Sequence, residues 1–116
     1  MIPHIVVLQI QALAILQAMT LTVYTTREIG LPKGFGDLAG TLSPEKLLIV
    51  KLRVSKLANA LKPEDIESMF KRDIRIFRYP EFVAVIRKEL WVAKPDGGWQ
   101  FFEILETEIR EVHHDH

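Results

Sequence analysis

Residues 5–24, IVVLQIQALAILQAMTLTVY, run for twenty positions without one charged side chain, and any fold of this chain has to keep most of them out of water. A helix that spans a bilayer needs about 20 mostly apolar residues, so the length alone fits a membrane. The content does not. Gln9, Gln11, Gln17, Thr20 and Thr22 would carry amides and hydroxyls to membrane depth, and no Lys or Arg precedes the segment to orient it. Met1-Ile2-Pro3-His4 lacks the positive region of a signal peptide. We therefore expect the segment inside the protein or at a subunit interface, with no membrane partner.

Read as a helix, the stretch shows no clean polar face, because Gln11 and Thr22 lie on one side and Gln9, Gln17 and Thr20 on the other. Residues Ala12 to Ala18 are strong helix formers. In MTLTVYTT, Met19, Leu21 and Val23 alternate with Thr20, Thr22 and Tyr24, the period of a half-buried strand. The expectation is a helix buried nearly all round, preceded by a short strand at Ile5 to Leu8 and followed by a strand over Leu21 to Thr26. One long bent strand is the rival.

Residues 30–43, GLPKGFGDLAGTLS, hold four of the six glycines and read as a Gly-rich loop. Gly34-Phe35-Gly36 lacks the third glycine of a dinucleotide fingerprint, and no Gly-Lys-Ser/Thr completes a phosphate loop. Ser43-Pro44-Glu45 then offers an N-cap, a proline for the first turn and an acid. A helix to about Leu61 is expected, although residues 48–54 also alternate as a strand would. Pro63-Glu64-Asp65 starts a second helix to about Arg72, with Ile66, Met69 and Phe70 inward. From Ile74 the pattern is strand-like: IRIF, then EFVAVIRKELWVA with Phe82, Ala84, Ile86, Leu90 and Val92 on one face. KPDGGW supplies a hairpin turn between Trp91 and Trp99. Ile104, Leu105, Ile109 and Val112 fit a helical stripe as well as a strand.

The fold expected is a single α+β domain over residues 1–116. It has a buried hydrophobic N-terminal helix or strand, two central helices, and a C-terminal antiparallel hairpin or three-stranded meander.

The chain is formally neutral, yet its charge is segregated. Residues 44–90 carry 11 Lys and Arg against 7 acids, and residues 91–116 carry 2 against 6. Lys51, Arg53, Lys56, Lys62, Lys71, Arg72, Arg75 and Arg78 are the candidate nucleic-acid contacts of this basic middle. With no cysteine, a disulfide framework, a thiolate zinc site and a thiol nucleophile are excluded, and a reducing, cytoplasmic setting is expected. His113, His114, Asp115 and His116 have metal-ligand chemistry, but a chain end offers no rigid shell to orient them. A frayed tail over 113–116 is expected, with no metal and no cofactor. Glu103, Glu106, Glu108 and Glu111 are expected to line a wet face. Nothing assembles a catalytic set.

Zero net charge, the apolar N-terminal segment and the lack of a catalytic set favour a small, homo-oligomeric, non-enzymatic assembly subunit, whose interface would include Trp91 and Trp99. A nucleic-acid-binding protein using the basic middle is the alternative. A pocket-bearing small-molecule binder or enzyme comes third.

Overall fold

The computed structural model describes residues 4–25, 28, 36–57, 59–78 and 86–114, with residues 4–6 as backbone alone. Helix α1 (His4–Met19) leads into β1 (Val23–Thr25), β2 (Leu38–Ser43) and β3 (Lys46–Val54); α2 (Pro63–Met69) and α3 (Lys71–Phe77) follow, then β4 (Ile86–Ala93), β5 (Trp99–Ile104) and β6 (Ile109–Val112). The six strands form one mixed sheet in sequence order, antiparallel throughout except for the parallel central pair β3–β4, which runs from Leu47↔Ile86 to Val54↔Ala93. Two parallel neighbours need a crossover, and α2 and α3 lie on that connection.

The α+β class and the C-terminal meander agree with the sequence reading; several details do not. The N-terminal helix already includes Ile5 to Leu8, where a strand was expected. It is not buried all round. Leu8, Ala12, Ile15 and Leu16 form its buried stripe, while Ile10 is 64% exposed. Its outward residues include Gln9, Gln11, Ala14, Gln17 and Ala18, so an uncharged solvent face concealed the amphipathicity. Strand β1 lies within the predicted strand. No helix among the described residues is long and apolar enough to cross a membrane.

The expected helix over residues 44–61 is instead a hairpin and strand. Pro44 and Glu45 form the turn between β2 and β3, with Ser43 opposite Lys46. Pro, whose φ suits the first turn position, serves here as turn former rather than helix starter. Strand β3 is covered on both faces, which is why its run Leu47-Leu48-Ile49-Val50 reads apolar at every position. Leu48, Val50 and Leu52 pack with Ala12, Ile15, Leu16, Trp91 and Phe101 on the α1 side. Ile49 packs with Ile66, Ile74, Phe77, Leu90, Val92 and Phe102 on the α2–α3 side. The expected loop over 30–43 is likewise strand from Leu38 onward, and its earlier part, residues 30–35, lies outside the described residues.

Helix α2 starts where predicted, at Pro63, with the Lys62 backbone N–H donating to Asp65 Oδ2 at 2.8 Å. It breaks at Phe70 (φ −123°, ψ 40°) and restarts as α3, so Ile74 to Phe77, expected as strand, are helical. The alternation of Ile74 and Ile76 was overridden by the i, i+3 burial of Ile74 and Phe77. Residues 103 and 104 close β5, and residues 109–112 are β6 rather than a helical stripe. In strand β4, Leu90 and Val92 share one face as expected, and the structure turns that face to the α2–α3 core; Phe82 and Ala84 lie outside the described residues.

The β4–β5 turn forms as read from its sequence. Lys94 N–H donates to Gly98 O at 2.8 Å, Gly98 N–H to Asp96 Oδ1 at 2.8 Å, and Gly97 takes φ +90°. Trp91, with no exposed surface, meets Phe101 edge to face at 5.0 Å. Gly40 permits a close approach of chain segments: an added Cβ would stand 2.6 Å from Thr20 Cγ2, and Thr20 is held by its hydroxyl donating to Leu16 O at 2.6 Å.

These environments rank three substitutions in denaturant melts. Trp91→Ala leaves a core cavity and costs about 3–5 kcal/mol. Gly40→Ala forces α1 off the sheet and costs about 1–3 kcal/mol. Gly97→Ala meets only backbone strain, about 1 kcal/mol. A Gly97 variant less stable than the Trp91 variant would contradict the packing described.

Candidate nucleic-acid interface

The basic residues of the chain's middle separate into three groups. Lys51 and Arg53 share the sheet face of Leu47 and Ile49, near the C-terminal end of β3. Lys51 Nζ lies 3.6 Å from Asp37 Oδ1, with its side chain 14% exposed, and Asp37 Oδ2 accepts the Leu52 N–H at 2.8 Å. Arg53 forms a two-pronged pair with Asp73 of α3, Nε to Oδ2 and Nη2 to Oδ1, both at 2.7 Å. That hydrogen bonding outweighs the cost of partial burial and holds the Arg53 pKa above its ordinary value, with further support from the charges of Asp73 and Asp37. The pair ties the start of α3 to the sheet. At the other end of α3, Arg78 donates to Glu67 Oε1 at 2.9 Å and to Leu105 O at 3.0 Å.

Lys71, Arg72 and Arg75 form the second group. All three are exposed on α3 and have no ion-pair partner among the described residues. Two clefts of about 510 Å³ flank them. One lies between the end of β3 and the α2–α3 break, lined by Leu52, Arg53, Val54, Met69, Phe70, Lys71, Arg72 and Asp73. The other is lined by Glu67, Lys71, Ile74, Arg75 and Arg78. Lys71 is common to both, so five of the eight candidate contacts, Arg53, Lys71, Arg72, Arg75 and Arg78, are gathered into one surface.

The third group stands apart from it. Lys56 lines a groove of about 410 Å³ between α1 and the β4–β5 turn, Lys62 caps α2, and neither they nor Lys51 line the two basic clefts. Sequence reasoning had placed Met69 and Phe70 inward. Met69 is 43% exposed.

On the opposite sheet face, toward α1, a row of charge crosses β4, β5 and β6 through the pairs Glu89↔Glu103 and Glu103↔Arg110. Two carboxylates directly opposed would repel, and cations separate them. Arg87 Nε donates to Glu89 Oε2 at 2.6 Å and lies 3.7 Å from Glu103 Oε2, while Arg110 Nη2 donates to Glu103 Oε1 at 2.6 Å. Glu89 itself is wholly buried, receiving Trp91 Nε1 at 2.8 Å and His114 Nε2 at 2.6 Å on Oε1. Burial alone would raise the Glu89 pKa. The hydrogen bonds from His114 and Trp91, with the attraction of His114 and Arg87, outweigh it and bring the carboxyl below its ordinary range.

Three expectations change here. Glu103 is buried rather than on a wet face. His114, expected to fray, is half-buried against Glu89 and its ring meets Phe101 at 4.9 Å. Trp91 is core rather than interface, whereas Trp99 borders a groove beside Gln11, Ala14 and Ala18 of α1. His113 is exposed, and His116 lies outside the described residues. Among the described residues, no three His, Asp or Glu side chains are grouped to hold a metal ion.

No family model and no curated protein matches the chain. Among solved structures it is similar to Hjc, a Holliday junction resolvase of Archaeoglobus fulgidus, at 14% identity over 88% of this chain and 80% of that one, with a TM-score of 0.42. The expectation of a non-enzymatic assembly subunit is corrected on the structure itself: the apolar N-terminal segment that motivated it is used inside the chain, with Leu8, Ile15 and Leu16 of α1 buried in the chain's own core. At that similarity the likeness assigns neither activity nor ligand to this protein.

The Glu89 cluster predicts an acid-sensitive fold. A carboxyl whose folded pKa is depressed stabilises above its ordinary range, and this stability is lost as pH falls through the depressed value. Urea midpoints measured from pH 7 to pH 2 should fall steeply for the parent and less steeply for Glu89→Gln, which is already weaker at pH 7. Parallel profiles for the two would remove Glu89 as the source.

Proposed function

We propose that this protein binds nucleic acid, holding the phosphate backbone on the surface formed by Arg53, Lys71, Arg72, Arg75 and Arg78. One observation carries the reading: in a chain with no net charge, Lys71, Arg72 and Arg75 project from a single short helix without partners among the described residues and rim two adjoining clefts. Surface cations are usually interspersed with acids; here Asp73 and Glu67, the acids of these clefts, are engaged by Arg53 and Arg78. That pairing leaves the outward field of α3 positive, and a polyanion is the ligand that such a field attracts. Arg53 and Arg78 also fix both ends of α3, so the three free cations are presented from a braced element. The proposal concerns binding alone.

Titrating a fluorescent DNA duplex against salt tests it. Each phosphate contact contributes about 0.9 to the slope of log K against log salt on B-DNA. Lys71→Ala, Arg72→Ala and Arg75→Ala combined should lower the affinity and reduce the slope by about 2 to 3. Lys56→Ala with Lys62→Ala should leave both near the parent values. No binding by the parent at low salt to the duplex or to either of its separated strands would end the proposal, as would equal losses from the two sets of variants.

A further inference from the structure

Within the cleft between β3 and the α2–α3 break, the cations share their walls with apolar surface that the fold leaves in water. Met69 is 43% exposed, one of the exposed large hydrophobic residues of the described chain, and it lines this cleft together with the half-buried ring of Phe70. Lys71 and Arg72 follow Phe70 directly in sequence and rim the same cleft. A duplex keeps its bases stacked and presents only their edges in the grooves, so it offers Met69 and Phe70 no base face to cover. A single strand offers both components, a phosphate for each cation and an unstacked base for the apolar floor. The volume, about 510 Å³, falls in the range of sites for small organic groups, which suits a nucleotide.

Resting on the binding reading above, we infer that the ligand is single-stranded nucleic acid, with one unstacked base seated on Met69 and Phe70 and its flanking phosphates on Lys71 and Arg72. Arg53 stays with Asp73 and forms the wall behind the base. The second cleft, with Lys71, Arg75 and Arg78, continues the backbone track past the seated nucleotide.

Fluorescence anisotropy with a 20-mer of oligo-dT, a 20-mer of oligo-U and a 20-base-pair duplex, each across several salt concentrations, tests the inference. Both single strands should bind at least about tenfold tighter than the duplex. Phe70→Leu keeps an apolar side chain against the α2–α3 core but removes the stacking face, and should weaken oligo-dT about fivefold or more. Met69→Ala, at a site exposed enough to spare the fold, should weaken oligo-dT without altering its salt slope. Lys71→Ala should instead lower that slope by about 0.7. A duplex bound as tightly as the single strands overturns the inference while leaving phosphate binding standing. So does oligo-dT affinity unchanged by Met69→Ala. Absence of binding to all three probes overturns both readings together.

Discussion

The parallel pairing of β3 with β4 organises everything else in this molecule. Eight consecutive partner positions, Leu47↔Ile86 to Val54↔Ala93, join strands that run the same way, so the intervening chain has to cross one face of the sheet. That crossing contains α2 and α3, leaving α1 to cover the other face. Along the middle of β3 every position is apolar, and Leu48, Ile49 and Val50 have none of their surface exposed. Its polar side chains return toward the C-terminal end, at Lys51 and Arg53. On β4, by contrast, Arg87, Lys88 and Glu89 stand opposite Leu48, Ile49 and Val50, and Glu89 is held inside the fold by Arg87, Trp91 and His114.

The two charged regions that result are built differently. Near the C-terminal end of β3, acids are matched to particular cations, Asp37 to Lys51 and Asp73 to Arg53, and the cations of α3 are left over. At the β4–β5–β6 end the acids predominate in the interior, and the cations and His114 are drawn in to hold them. Removing one member of such a buried group leaves another uncompensated, which commonly costs more than the pair contributed. The first arrangement leaves a surplus of charge facing solvent, and the second ties the chain's last described residues to the sheet.

What the sequence revealed depended on whether the deciding interactions were local. The β4–β5 turn was legible because Asp96 and Gly97 supply its geometry within four residues. The start of α2 was legible for the same reason, through Pro63 and Asp65. Strand β3 was not, because what buries it is distant in sequence, α1 on one face, α2 and α3 on the other and β4 at its side, and Leu47, Val50 and Val54 also satisfied a helical spacing. Ile74 and Ile76 alternated convincingly, yet the core wanted Ile74 and Phe77 on one side. The basic residues were recognisable as a class, but their grouping was not: only the fold separates Lys51, Lys56 and Lys62 from Lys71, Arg72 and Arg75. The exposure of Met69 was hidden by the break at Phe70, which turns α2 and α3 against each other.

Gln100 gives the clefts a further property. Its buried amide accepts the Leu61 N–H at 2.9 Å and donates to Leu61 O at 3.0 Å and to Glu111 Oε2 at 3.1 Å. The segment leading into α2 is thus fastened to β5 through both polar groups of one backbone residue, as if an extra strand were paired there. Lifting it would strand a buried amide and two backbone groups without partners. With the entry to α2 anchored in this way and Arg53 and Arg78 holding α3, the walls of the clefts are set before any ligand arrives. Little conformational entropy then remains to be lost on association, and the affinity of a small contact area can approach what its charges and apolar floor provide.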